Sequence, residues 1–385
     1  MNRRTLIKML SGMSLLPIVP GTSLSQTNQR RVILLELSGA NDGLNTLVPF
    51  KDDRYHKLRP TLGLKQNKII ALDDYFGFNN ALKQLMPIWE HGEMAIAQGL
   101  GYPNPNRSHF KSIALWETGG DGNRKRRDGW LTHDIEHAYA ISNVDAHGIS
   151  LGGGLGIFAS PTGNWLSMSS ADQFSGRTIG SSTNPIPGHN RMMIALREHA
   201  ATLNNSIDRI AKKVENNRNR IRVTGGADFN AQLTHAINLI NSGIDSPVIK
   251  ISLGGFDTHE NQIMRHTRLL KQLSSAIVKL RTELRKTDNW DNTAIITYSE
   301  FGRRAAENKS KGTDHGTASA HFVFGGNVNG GFYGQQPDLG NLLEGDLQFT
   351  MDYRALYSSV LKDWFHLPGQ AFRQHKDIRL QQLFG

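Results

Sequence analysis

The chain is 385 residues long, 38% hydrophobic and 20% charged, the make-up of an ordinary globule with room for one large domain or two smaller ones. It contains no cysteine, which excludes zinc-thiolate centres, iron–sulfur clusters and cysteine nucleophiles and suits an oxidising compartment. The net charge of +10 gathers at Arg3, Arg4 and Lys8, at Arg124 to Arg127, and at Lys212, Lys213, Arg218 and Arg220; no aromatic residue interleaves with the last two runs, so base stacking has no platform and no nucleic-acid partner is expected.

In chain order, the first feature is a leader. Adjacent Arg3 and Arg4 precede an apolar run from Met9 to Val19. Pro17 and Pro20 break the run, and Ser23-Leu24-Ser25 offers small residues at the spacing a signal peptidase needs. The run is shorter than the about 20 apolar residues that span a bilayer, and no later stretch has that length, so no integral span is expected once the signal is removed. The arginine pair marks the twin-arginine route, with its translocase as a partner during export and the periplasm as destination. The expected organisation is a signal peptide over 1–25 and a single α/β domain over 30–385.

Arg31 to Leu37 reads as a buried strand that ends in the turn-rich Ser38 to Gly43. Asn80 to Glu90 has helical spacing, with Leu82, Leu85, Met86 and Trp89 on one side. Met94 to Ala97 is a second strand, and Ser108, a favoured N-cap residue, opens a helix through Trp116. Residues 121–188, rich in Gly, Ser and Asn, form an irregular insertion with short strands. Helices follow over 190–222 and 228–241, then a strand at Val248 to Leu253. A long helix spans His259 to Lys286, with Ile263, Leu270, Leu273, Ile277, Leu280 and Leu284 on one stripe. Thr293 to Tyr298 and His321 to Phe324 are further strands, and a last helix runs from Tyr353 to Trp364. Apolar strands alternating with helices predict an α/β fold with a mostly parallel sheet.

Such folds bind ligands beyond the carboxyl ends of their strands. The segments there are polar: Asn41 and Asp42 after the first strand, Arg107-Ser108-His109 after the second, Asp257-Thr258-His259 after the strand ending at Leu253, and Ser299-Glu300-Phe301-Gly302-Arg303 after Tyr298. Gly312-Thr313-Asp314-His315-Gly316 lies a little further on, with His321 close behind. Taken singly, Asp42-Gly43 is also a common turn, Ser108 a cap and His259 a helix start. A carboxylate or imidazole at the end of several strands points instead to one rim holding Asp42, Asp257, His259, Glu300, Asp314 and His315, a donor set for Zn, Mn, Fe or Ca.

The phrase Leu37-Ser38-Gly39-Ala40-Asn41-Asp42-Gly43-Leu44-Asn45-Thr46 resembles an exported bacterial family, the domain of unknown function family 1501. So do Arg107-Ser108-His109-Phe110, Trp116-Glu117-Thr118-Gly119, Phe256-Asp257-Thr258-His259, Ser299-Glu300-Phe301-Gly302-Arg303 and Gly312-Thr313-Asp314-His315-Gly316, over nearly the whole chain. The resemblance places the chain in the alkaline phosphatase and sulfatase superfamily and implies a three-layer α/β/α sandwich. It implies Ser108 as nucleophile, and Arg107 beside it is suited to grip the substrate anion. It implies a divalent metal, Zn, Ca, Mn or Mg, with Asp42 as first-strand carboxylate, Asp257 and His259 as an Asp-then-His pair, and His315 as final ligand. The pair is spaced by two rather than four, and Glu300 has Phe301 where the superfamily has an imidazole, which leaves open one metal, an altered metal or none. Two functions follow: a metal-assisted hydrolase of phosphate or sulfate esters acting on a small anionic, sulfated or phosphorylated substrate, or a non-catalytic periplasmic binding protein.

Overall fold

A computed structural model describes residues 30–120, 128–168, 191–223, 228–373 and 378–385. The leader, the Arg124 to Arg127 cluster and part of the Gly/Ser/Asn-rich insertion lie outside the described residues.

Among the described residues the central sheet has nine strands: β1 (Arg31–Ser38), β2 (Met94–Gly101), β3 (Gly148–Ser150), β4 (Trp165–Ser167), β5 (Val248–Gly254), β6 (Thr293–Tyr298), β7 (Ser319–Phe324), β8 (Gly331–Tyr333) and β9 (Met351–Asp352). Their order is β8-β2-β7-β6-β1-β5-β3-β4, with β9 also paired to β2. β1 lies between β5 and β6, parallel to both, with Val32 beside Val248 and Ala294. β7 alone runs against its neighbours. The mostly parallel sheet expected from the sequence is the observed one.

Strands buried on both faces read as continuous apolar runs because each face meets helices. Ile33, Leu35 and Leu37 point into one core and Val32 and Leu34 into the other. The first core is closed by α2 (Arg191–Asn216), α3 (Phe229–Asn241) and α4 (Gln262–Arg285). The second is closed by α1 (His109–Thr118) and α5 (Arg354–Ser359), with Trp116, Trp130, Tyr357 and Trp364 filling it. Three layers result, α/β/α.

Several elements differ in detail from the sequence reading. The insertion supplies a short helix, Thr132–Ala138, and the two outermost strands, β3 and β4, which extend the sheet beyond β5. Asn80 to Glu90 is a 3-10 helix over Asn80–Leu85 and an α-helix over Met86–Glu90. α4 begins at Gln262, because Asn261 takes a left-handed conformation (φ 46°) that interrupts helical geometry; His259 is therefore a loop residue. Ile263, placed on the buried stripe by spacing, is 42% exposed. α5 passes into a π-helical turn at Val360–Trp364. Among the described residues no helix is long and apolar enough to cross a membrane.

Candidate metal centre

Four loops meet at the carboxyl edge of the sheet. The turn after β1 carries Gly39 at φ 108°, and a Cβ there would lie 2.5 Å from the backbone nitrogen of Asp257, so only glycine lets the β1 and β5 loops touch. The loop after β6 and the loop entering β7 pair antiparallel through Arg303 and His315. Because β7 runs opposite to the rest, its entry lies at the edge where the other strands end. That reversal brings His315 to the rim.

Arg303 ties these loops together. Its guanidinium is buried and donates to the carbonyl oxygens of Gly39, Ala40, Phe256 and Thr313 and, at 2.5 Å, to Asp257 Oδ1. Asp257 is 47% exposed. Burial raises its carboxyl, but the Arg303 hydrogen bond and charge outweigh this and hold it below the usual carboxylate range.

Around Asp257 stand three imidazoles. His259 Nε2 lies 2.9 Å, His315 Nε2 3.3 Å and His109 Nε2 3.6 Å from Asp257 Oδ1. His315 Nε2 is also 3.0 Å from both His109 Nε2 and His259 Nε2. The outer nitrogen of each ring is turned to an oxygen that can only accept: His109 Nδ1 donates to Glu300 Oε1 at 2.6 Å, His315 Nδ1 to the Arg107 carbonyl oxygen at 2.8 Å, and His259 Nδ1 to Asp314 Oδ1 at 3.3 Å. The protons are thereby assigned to Nδ1, and in the neutral rings the Nε2 lone pairs of His109 and His259 each lie against His315 Nε2 and the Asp257 carboxylate oxygen. Lone pairs at hydrogen-bond distance repel unless a cation or proton lies between them. Burial outweighs the hydrogen bond to the Arg107 carbonyl and, with the charge of Arg303, pushes the His315 imidazole below its ordinary value, which favours the neutral, electron-donating form.

Imidazole nitrogens with outer N–H groups held by carboxylate or carbonyl oxygens are the usual arrangement around a transition metal. The donor chemistry fits a divalent ion of the Zn or Mn type better than Ca or Mg, which prefer all-oxygen shells. His109, Asp257 and His315 offer ligand atoms all within 4.8 Å of one another, with His259 against both Asp257 and His315.

The residues singled out in the sequence divide accordingly. Asp257, His259 and His315 come together at the centre. Glu300 and Asp314 stand behind imidazoles as acceptors; Glu300 also accepts from the Gly39 N–H and the Ser299 hydroxyl. Asn308 donates to Asp314, and that hydrogen bond is the main reason its carboxyl stays below the ordinary range. Phe301, in the place of an expected imidazole, packs its ring 4.9 Å from those of His109 and His315 and walls the centre.

Two expectations need correction. Asp42 is not turned to this cluster: it is 1% exposed and bonded at 2.7 Å to Arg59 Nη1, with Gln262 and the Asn45 N–H on its oxygens. Burial alone would raise its carboxyl, and Arg59 more than reverses that. A buried carboxylate needs a fixed partner, and Arg59 reaches it from the C-terminal cap of the helix Asp53–Leu58. Arg107 does not extend its guanidinium as a free anion clamp; it pairs with buried Asp346, and it is its backbone carbonyl that serves the site. Ser108 occupies the N-cap position of α1, half-buried, without a side-chain capping bond, next to His109. His321, near the motif in sequence, is buried inside β7 against Trp116.

His109 received no role from sequence. Its only signal was position: an imidazole opening a helix just beyond a strand's carboxyl end. Arg59 and Gln262, which fix Asp42, had none.

The family described as "Protein of unknown function (DUF1501)" matches residues 29–375. No curated protein matches the chain in sequence. Among solved structures, the sulfatase PsFucS1 from Pseudoalteromonas sp. aligns at 11% identity and TM-score 0.38, over 91% of this chain and 73% of that one. The lipoteichoic acid synthase LtaP from Listeria monocytogenes aligns at 9% identity and TM-score 0.35, over 84% and 75%. A magnesium-bound mutant of TAB5 alkaline phosphatase aligns at 10% identity and TM-score 0.35, over 77% and 91%.

Proposed function

Taking as premise that the chain belongs to the DUF1501 family, we propose that it is a metal-dependent hydrolase of phosphate or sulfate esters, exported to the periplasm by the twin-arginine route. The observation that carries this reading is that His109, His315 and Asp257 bring ligand atoms within 4.8 Å of one another, with His259 Nε2 against the last two and each ring held from behind by an oxygen acceptor. His109, Asp257, His259 and His315 would hold the ion. When bound, a divalent metal supplies Lewis-acid polarisation of the ester and favours the ionised nucleophile.

The chain's own residues do the remainder. Ser108 offers a hydroxyl at the start of a ten-residue helix, where the first backbone N–H groups face an incoming anion. Glu300 and the Arg107 carbonyl keep the His109 and His315 rings in one tautomer and orientation. Arg303 holds Asp257 ionised and anchors the loops, so the donors are positioned before substrate arrives. Phe301 keeps one side of the centre dry.

The Arg303–Asp257 pair also favours a second reading, a binding protein whose carboxylate is neutralised by arginine and which performs no chemistry. One experiment separates the two: measure bound metal after purification and assay a panel of phosphate and sulfate mono- and diesters. The hydrolase reading expects a bound or readily acquired divalent ion, activity abolished in Ser108→Ala and a steep fall in His315→Ala. A wild type that takes up no metal and hydrolyses nothing in the panel leaves the binding-protein reading.

A further inference from the structure

A groove of about 500 Å³ opens along the first turns of α4, between that helix, the loop around Leu64 to Lys68 and the turn at Asn79 to Ala81. Ile263 begins it, four residues beyond His259, so their Cα atoms lie within about 14 Å of each other. Its walls combine two chemistries. Leu64, Ile263 and Met264 are apolar, and the last two are 42% and 79% exposed although they stand on the first turn of an otherwise amphipathic helix. Lys68, Arg268 and Lys271 are cationic; none has an ion-pair partner among the described residues, and no acidic residue is among those lining the groove. Met264, Arg268 and Lys271 follow one another at helical i, i+4, i+7 spacing, so apolar contact and positive charge run side by side along one face.

An exposed apolar strip bordered by unpaired cations is a recognition surface rather than a packing accident. A simple anion gains nothing from Ile263 and Met264, and a neutral apolar molecule gains nothing from the cations. The geometry points to a substrate subsite in this groove for an anionic amphiphile: an ester whose apolar arm lies along Leu64, Ile263 and Met264 while a negative group is held by Lys68, Arg268 and Lys271. This rests on the hydrolase reading for the word substrate, but the binding itself does not require chemistry at the metal centre.

The test is calorimetric titration of the full chain with octyl sulfate below its micelle concentration, beside inorganic sulfate. Octyl sulfate binds saturably at one site, and inorganic sulfate at equal concentration does not displace it. Arg268→Glu with Lys271→Glu weakens binding about tenfold or more, since each pairing is replaced by repulsion. Met264→Asp weakens it similarly, and Arg268→Lys retains it, so that loss in the reversed variants reports charge and not misfolding. If groove binding follows this pattern while the ester panel shows no hydrolysis, the subsite stands and the hydrolase reading falls. No saturable binding, binding indifferent to the charge reversal, or equal binding of inorganic sulfate overturns the subsite.

Discussion

Replacing Asp42 by Asn separates a structural carboxylate from a metal ligand. Both partners of the Asp42–Arg59 pair are essentially inaccessible, with side chains 1% and 0% exposed and 2.7 Å between Nη1 and Oδ2. With charge centres about 4 Å apart and an effective dielectric near 20, their attraction is about 4 kcal/mol. Breaking a buried pair from one side costs about 3–5 kcal/mol, because the other charge stays buried. The amide worsens this. Asp42 Oδ2 accepts from both Arg59 and Gln262, and Oδ1 accepts from the Asn45 N–H, so an NH2 group placed in either position faces a donor. The Arg59 guanidinium would still reach the Asn45 side chain and the carbonyl oxygens of Ala305 and Arg304, but with its charge unmatched. Asp42→Asn is therefore expected to lose about 3–5 kcal/mol in urea unfolding, a large share of the about 5–15 kcal/mol typical of a folded protein. Adding Arg59→Met should cost less than the sum of the single changes by about 1–3 kcal/mol. Bound metal per folded chain should not change. Loss of metal with stability altered by less than about 1 kcal/mol would show that Asp42 is a ligand and that the ion-pair argument is wrong.

Other outcomes follow from the same contacts. Glu300→Gln leaves the His109 ring without its carboxylate acceptor and should weaken metal affinity by about 10–100-fold, read by chelator competition; unchanged affinity would remove Glu300 from the site. Burial depresses His266 to about 4 and His321 to about 3, both below the ordinary 6.5. The unfolded chain therefore binds these protons first: stability is full above about pH 6.5 and falls by about 1.4 kcal/mol per pH unit for each histidine as pH drops towards the folded values. Urea midpoints between pH 7.5 and 5 should show that slope, and His321→Phe should reduce it; an identical slope in the variant refutes the assignment. Exchanging Arg3 and Arg4 for Lys should retain the protein in the cytoplasm, and an unaltered periplasmic yield in cell fractions would dismiss the twin-arginine route.

Much of the fold was legible because the determinants of its elements are local. Arg31 to Ser38 and Val248 to Gly254 are apolar runs of strand length bounded by glycine, and Leu270 to Leu284 repeat with helical period; such patterns need no knowledge of neighbours. A parallel sheet built from them must end its strands at one edge, which sets the loop after β5, with Asp257 and His259, beside the loops that follow β1 and β6. The three-residue strands β3 and β4 carry too little pattern to announce a place in the sheet, and the pairing of β3 with β5 and of β4 with β3 is a matter of available edge.

What each polar group does at that rim was decided by tertiary contact alone. Asp42, Asp257, Glu300 and Asp314 are four similar carboxylates in similar loops, yet one is locked to Arg59, one is shared by Arg303 and the imidazoles, and two stand behind histidines. A carboxylate's role depends on which charge or donor comes within about 4–6 Å, and several of those partners come from far along the chain, Arg59 17 residues from Asp42 and Gly39 261 residues from Glu300. The antiparallel direction of β7, which brings His315 to the others, and the outward face of Ile263, which opens the groove, were equally invisible to periodicity. Period and composition determined which residues form strands, helices and loops; the long-range packing of those elements determined which loop residues meet, because electrostatic and metal-binding partnerships are set by distance in space and not by distance along the chain.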